Sequence, residues 1–289
     1  MSKTAEKLDY AQIREHMALN EGVDKKKSYT TDFKSLRSGV SAEEWQARVD
    51  LAACYRLVDL YGMAGMIYNH ITVRIPGTED FLINMYGMTY KEITASSLMK
   101  IDLEGNIVAK PESDYGLNVA GYVIHSAVHA ARPDVNCVIH THSTAGSAVA
   151  AMKMGLLPIS QESGRFYGHI AYHDYEGPAL DPEERERLVR DLGKHNAMIL
   201  RSHGLLTCGE SMPEAFNLMW QLEMSCREQV AALAAGQSEL VVPSEAVLAK
   251  TADVFQPGSL RRYGVLEWPA MIRRLEAELA DNGYPYYAS

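Results

Sequence analysis

The sequence has no cysteine pair at C-x-x-C spacing; Cys54, Cys137, Cys208 and Cys226 stand singly, far apart. That scatter excludes a disulfide frame and a thiolate zinc site, and buried reduced thiols are expected. Positive charge is not in excess either. Lys and Arg number 28 against 37 Asp and Glu, for a net charge of −9, which argues against a general nucleic-acid binder and against an anionic membrane surface. No apolar run approaches the roughly 18 residues that a membrane span requires. The N-terminal MSKTAEKLDYAQIREHM is charged where a secretory signal would be apolar, so a cytoplasmic protein is expected. Neither G-x-G-x-x-G nor G-x-x-x-x-G-K-[ST] occurs, which leaves no nucleotide fingerprint. Internal repeats and low-complexity tracts are absent as well.

What is there is ordinary globular composition. The 289 residues are 47% hydrophobic and 22% charged, enough for a sizeable core in one or two domains. Residues 1–40 are polar and broken, and read as an N-terminal arm. Ser41-Ala42-Glu43-Glu44 reads as a capping box opening a helix to about Leu60, with Trp45, Val49, Ala53, Leu57 and Leu60 on its apolar stripe. HITVRI and FLINMYG predict strands, residues 105–118 a loop, and VAGYVIHSAVHAARPD a helix stopped by Pro133. A strand over 136–142, the helical TAGSAVAAMKM, and strand with loop over 158–177 follow. DPEERERLVRDLGKH predicts a helix with Pro182 in its first turn. NAMILRSHGLLTCG predicts two strands around a turn at His203-Gly204, and Ser211 opens a long helix to about Gly236. The domain bounds expected are 41–241 for the main domain and 242–289 for a C-terminal extension, holding a helix, that packs on the core or on a neighbouring subunit. Alternating strands and helices make an α/β or α/β/α protein.

The chemistry concentrates at CVIHTHST, residues 137–144. Side chains i and i+2 of a strand share a face, so His140 and His142 project together and can offer two ligands to one metal ion. The same pattern also describes two surface histidines at a strand end. His203 stands at another strand end before Gly204, where glycine allows the backbone to bend. Three imidazoles with open positions make one catalytic zinc arrangement, and Glu162 is a candidate ligand or general base. On the residues alone, His203 filling a core hydrogen bond and Glu162 on the surface are equally open. His125 and His129, four apart on the predicted helix, share a face that either borders the substrate or is partly solvated.

Taken together, Arg132-Pro133-Asp134, Val138-Ile139-His140-Thr141-His142-Ser143, the Gln161-Glu162 pair and the His203-Gly204…Cys208-Gly209-Glu210 turn resemble the class II aldolase/adducin family, over residues 42–235. YNHITVR…FLINMYG…ITASSLMKID is similar to its adducin-like bacterial branch. The resemblance implies an α/β/α fold, with a central, mostly antiparallel sheet between helix layers. It implies a homotetramer with the active site at a subunit interface. It implies His140, His142 and His203 as ligands of a divalent metal ion, Zn2+ first, with Fe2+, Mn2+ or Co2+ as alternatives. Glu162 corresponds to an acid/base position in the methylthioribulose-phosphate dehydratase branch. Asn69, His70 and Arg165 fall near the family's pocket segments, and His125 is a further candidate for substrate contact.

The departures are as informative. Sugar-phosphate aldolases of this family carry Ser-Ser-Glu where this chain reads Val119-Ala120-Gly121, and Thr-Gly where it reads Tyr86-Gly87. Two phosphate hydroxyls and a carboxylate are replaced. The expected function is therefore a metal-dependent lyase of aldolase, decarboxylase or dehydratase type. It would act through a metal-stabilised enolate on an unphosphorylated hydroxy or keto acid, aromatic acids included. Two alternatives stand beside it. One is a non-haem iron oxygenase of aromatic keto or hydroxy acids, for which Tyr167, Tyr172 and Tyr175 offer an aromatic pocket. The other is a non-catalytic adducin-like scaffold.

Overall fold

A computed structural model describes residues 30–177, 183–256, 258–279 and 283–289. Most of the expected N-terminal arm, and Pro182, lie outside the described residues. Eight strands form one sheet: β1 His70–Arg74, β2 Phe81–Ile83, β3 Met99–Ile101, β4 Ile107–Ala109, β5 Cys137–Thr141, β6 Ala171–His173, β7 Ala197–Leu200 and β8 Gly204–Gly209. The order is β4-β3-β2-β1-β5-β8-β7-β6, antiparallel throughout except for the β6–β7 pair.

Strand alternation sends residues to two helix layers. Cys137, Ile139, Ala197, Ile199 and Leu205 face a core shared with α1 (Ala42–Leu60), α3 (Thr144–Ala150) and α6 (Met212–Ala232). Val138, Met198, Leu200, Leu206 and Cys208 face the other way, onto Ile124 and Val128 of α2 (Val119–Ala131) and Leu188 and Leu192 of α5 (Glu184–Leu192). The central strand β5 is buried along its whole length because both layers cover it. The architecture is α/β/α.

The expected capping box forms only by half. Ser41 Oγ accepts from the Glu44 amide at 3.1 Å, but the buried Glu44 carboxylate turns to Arg48 at 2.8 Å and Lys100 at 2.7 Å. Two charges nearby outbid the single backbone donor. The stretch expected as loop contains β4. It is an exposed edge strand with no apolar alternation to announce it, joined to β3 through the Gly105 turn. The expected strand-and-loop stretch contains a short helix α4 (Gln161–Gly164), whose Ser160 and Ser163 form a capping box of their own. The C-terminal segment holds two helices where one was expected, α7 (Glu245–Phe255) and α8 (Trp268–Leu279). It folds back on its own chain: Tyr287 is buried, and its carbonyl accepts from the Ala95 amide at 2.7 Å.

Candidate metal centre

His140 lies near the end of β5 on the α2 side, and its Nδ1 donates to the Leu205 carbonyl at 2.9 Å. That bond assigns the tautomer and leaves Nε2 with a bare lone pair. His142 follows just past the strand. Its Nε2 lies 2.7 Å from that of His140 and 2.9 Å from that of His203. The three ligand atoms all fall within 4.8 Å of one another. Burial pushes all three imidazoles down from the usual histidine range, His203 to about 4 with the neighbouring His142 and His173 adding to the effect. Neutral rings with convergent lone pairs are what a divalent cation requires of histidine ligands, so the donor set fits such an ion.

Local backbone geometry sets this convergence. The chain bends into the His203 turn at Ser202, with φ +53°, and not at Gly204 as the sequence suggested. Gly204 serves a different end. A Cβ there would stand 2.3 Å from the Thr141 carbonyl oxygen and 3.1 Å from the His142 ring. The glycine lets β8 approach β5 closely enough to bring His203 onto the pair. Gly204→Ala is expected to cost about 2 kcal/mol or more, since backbone cannot yield as a flexible side chain does. Chemical denaturation checks this, and an unchanged midpoint would contradict it.

Ser143 anchors the other side. Its Oγ accepts from the Gly146 amide at 3.1 Å to cap α3, and donates to the buried Glu223 carboxylate, which Arg227 clamps at 2.6 Å. The residue after His142 is thereby pinned to α6. In the sequence, Glu223 reads as an ordinary helical acid, and only the packing of α6 on α3 reveals its partner.

Of the other expected site residues, His70 and His125 join the centre, and Asn69 sits beside it, its Oδ1 and the His142 Cβ both within 4 Å of where a Cβ on Gly65 would stand. The His70 ring lies on that of His140 with centroids 4.9 Å apart, and its Nδ1 meets His125 Nε2 at 2.9 Å. The His125–His129 face is buried, not solvated, because it packs on β1: Thr72 Oγ1 lies 2.7 Å from His125 Nδ1 and 2.8 Å from His129 Nε2. Asn69 is fully buried, with Oδ1 accepting from Gly65 and Nδ2 meeting no protein acceptor. Tyr86 bridges to Gly116 beyond β2, and Gly87 carries the Tyr115 ring against its backbone. Met66 and Tyr68 are exposed beside Gly65, and the Tyr175 ring centroid lies 6.3 Å from that of His203.

Arg165 and Glu162 stand elsewhere. Arg165 Nη1 donates to Asn217 at 2.8 Å, and the guanidinium lies between Phe255 and Tyr263, with ring centroids at 5.3 and 5.4 Å. It lines a cavity of about 780 Å³ that also meets Gly209 and Arg132. Burial lowers its pKa to about 10, against the opposing pull of Tyr263 and Glu267. Because β8 runs from Gly204 beside the histidines to Gly209 beside this cavity, the two places are about 17 Å apart along the strand. Glu162 is carried by α4, which packs on α6 and α7, and no hydrogen bond or ion pair joins it to the three imidazoles.

Comparison with known proteins follows the same lines. The family model "Class II Aldolase and Adducin N-terminal domain" matches residues 49–230. Rat (Rattus norvegicus) alpha-adducin is 44% identical over 251 residues, 83% of this chain but only 34% of adducin, so the chain spans about a third of that relative. The crystal structure of an aldolase II superfamily protein from Pseudomonas syringae is 50% identical with a TM-score of 0.80, covering 85% of this chain and 98% of that one. L-fuculose 1-phosphate aldolase from Glaciozyma antarctica is 27% identical with a TM-score of 0.74, covering 88% and 96%. On the matched model, the shared sheet and the three-histidine cluster, the chain belongs to the class II aldolase and adducin family.

Proposed function

We propose that the protein is a metal-dependent lyase of the class II aldolase type, acting on an unphosphorylated hydroxy or keto acid. The observation that carries this reading is the convergence of three neutral imidazole Nε2 atoms at the ends of β5 and the β7–β8 turn. His140, His142 and His203 would hold a divalent cation, zinc first. Bound there, the cation supplies Lewis-acid stabilisation of the negative charge that develops on a substrate carbonyl oxygen as a C–C or C–O bond breaks.

The surroundings support a substrate without a phosphoester. A dianion needs several convergent donors. Val119 is buried in the core, and the His70 ring fills the space that a side chain at Gly121 would take. Tyr175 beside His203, with the exposed Met66 and Tyr68 after Gly65, offers apolar and aromatic surface that suits an aromatic acid.

Glu162 moves the proton in this reading, and it does so from a second copy of the chain. Within one chain no hydrogen bond or ion pair joins Glu162 to the three histidines, whereas a homotetramer with its sites at subunit interfaces can bring α4 of one protomer to the histidines of the next. The exposed Met66 and Tyr68 give that interface apolar surface. A scaffold without turnover is the second reading, favoured by the 44% identity to alpha-adducin.

The test is metal analysis of protein purified without added metal, followed by a screen of hydroxy and keto acids. One divalent ion per chain with cleavage, decarboxylation or dehydration of such an acid is the expected result. Stoichiometric metal with no turnover favours the scaffold, and oxygen uptake on iron loading identifies an oxygenase. Efficient turnover of fuculose 1-phosphate or methylthioribulose 1-phosphate overturns the substrate assignment.

A further inference from the structure

Beside the three-histidine cluster runs a buried chain of hydrogen bonds with only one consistent direction. It begins at the Val135 carbonyl, which can only accept. His129 Nδ1 lies 3.3 Å from it and must donate. In the neutral ring, His129 Nε2 then carries the lone pair and accepts from Thr72 Oγ1 at 2.8 Å. The hydroxyl has one proton, so Thr72 must in turn accept from His125 Nδ1–H at 2.7 Å. His125 Nε2 is left as an acceptor for His70 Nδ1–H at 2.9 Å. The last member, His70 Nε2, therefore carries a lone pair, and among the described residues no protein donor meets it.

The ring carrying that lone pair is tightly held. His70 pairs with His140 across β1 and β5, the two rings lie 4.9 Å apart, and a Cβ on Gly121 would stand 2.6 Å from His70 Cγ and Cδ2. All members of the chain are buried: His70 at 2%, Thr72 at 1%, His125 at 1% and His129 at 2% exposure. Reversing the order would aim two lone pairs at each other at the Val135 end. Only a donor arriving from outside the protein can complete the His70 end.

We infer that His70 is the acceptor that recognises a hydroxyl group of the substrate beside the three-histidine centre, and that Thr72, His125 and His129 are positioning residues that hold it in that one tautomer. This rests on reading the three-histidine centre as the substrate site, and it narrows the substrate class to hydroxy acids. A keto oxygen at that position would set lone pair against lone pair, while a hydroxyl donates. An arrangement built to pair with a hydroxyl discriminates, because a bound analogue without that proton sets lone pair against lone pair at His70.

Two measurements test it. In 15N-labelled protein, with and without zinc, ring-nitrogen correlation spectra are expected to show His70 protonated on Nδ1 and bare on Nε2. Thr72→Val keeps the side-chain volume and removes the relay, so that signature should become mixed, and Thr72→Ser should restore it. His70 protonated on Nε2 in the unaltered protein overturns the inference. The second measurement uses the visible bands of the cobalt-loaded protein. Glycolate should bind about 10- to 100-fold more tightly than methoxyacetate, which keeps the chelating oxygens but has no hydroxyl proton. The ratio should collapse towards one in His70→Phe, which keeps an aromatic ring and loses the acceptor. Equal affinities in the unaltered protein overturn the assignment of His70. Failure to take up cobalt defeats the metal reading instead, and the tautomer spectra then decide the role of His70 on their own.

Discussion

Acidification from pH 6.5 towards pH 4 is expected to remove most of the stability of the metal-free fold. His70, His125, His129 and His140 are buried and held well below the usual histidine range, His129 at about 3, chiefly because burial penalises the charged ring. In the unfolded chain each titrates near 6.5. A group whose folded pKa is depressed contributes stability that is fully present above its unfolded value. That contribution is lost as pH falls towards the folded value, because the unfolded state takes up the proton first. Each such imidazole removes about 1.4 kcal/mol per pH unit in that window, so four together remove about 5.5 kcal/mol per unit. A typical domain has only about 5–15 kcal/mol in all.

His173 works in the opposite sense. The Glu184 carboxylate raises its pKa, burial opposes this, and Asp191 at 2.8 Å adds to the rise. Its contribution is therefore present below about 6.5 and fades as pH rises through its folded value. One such group offsets only part of what four lose. Urea denaturation at pH 7, 6 and 5 with a chelator present measures the slope directly. A stability that stays level from pH 7 to pH 5 would show that the buried imidazoles gain protons inside the fold.

Replacing Glu162 with Gln is expected to leave metal content unchanged and to lower turnover by roughly 10²- to 10⁴-fold, the usual size of a lost general acid or base. The geometry makes a sharper expectation. Because α4 packs on α6 and α7 and no hydrogen bond or ion pair joins Glu162 to the three imidazoles of its own chain, the deficit should be repairable from another protomer. Mixed oligomers of Glu162→Gln and His203→Gln chains should regain activity that neither variant has alone, since some interfaces then pair an intact Glu162 with an intact three-histidine cluster. Loss of metal in Glu162→Gln would make Glu162 a ligand. Full activity would remove it from the mechanism, and a monomer by light scattering would remove the arrangement between protomers.

Much of the centre was legible in the sequence, and the reason is local. The spacing of His140 and His142 puts both rings on one side through strand periodicity alone, and Cys137-Val138-Ile139 announces the buried strand before them. His203 required more. Its place depends on β8 pairing with β5 in a register that aligns Thr141 with Leu205, and no local pattern states that register. The i,i+4 spacing of His125 and His129 identified a common face but not what covers it. Thr72, which links the two rings, looks in the sequence like any strand threonine.

The sequence by itself determined most of the elements, the family and the candidacy of the three imidazoles, because hydrophobic period, capping residues and motif spacing are encoded within short stretches of chain. The tertiary structure alone decided three further things. It brought Lys100 of β3 to the Glu44 carboxylate, which together with Arg48 of the same helix draws it from the helix N-terminal amide, since two charges outcompete one backbone donor. It placed Arg165 at the far end of β8 from the histidines, since strand direction separates what the motif lists together. And it joined His70, Thr72, His125 and His129 into one directed chain, since a buried lone pair must find its donor wherever the packing of α2 on β1 supplies one.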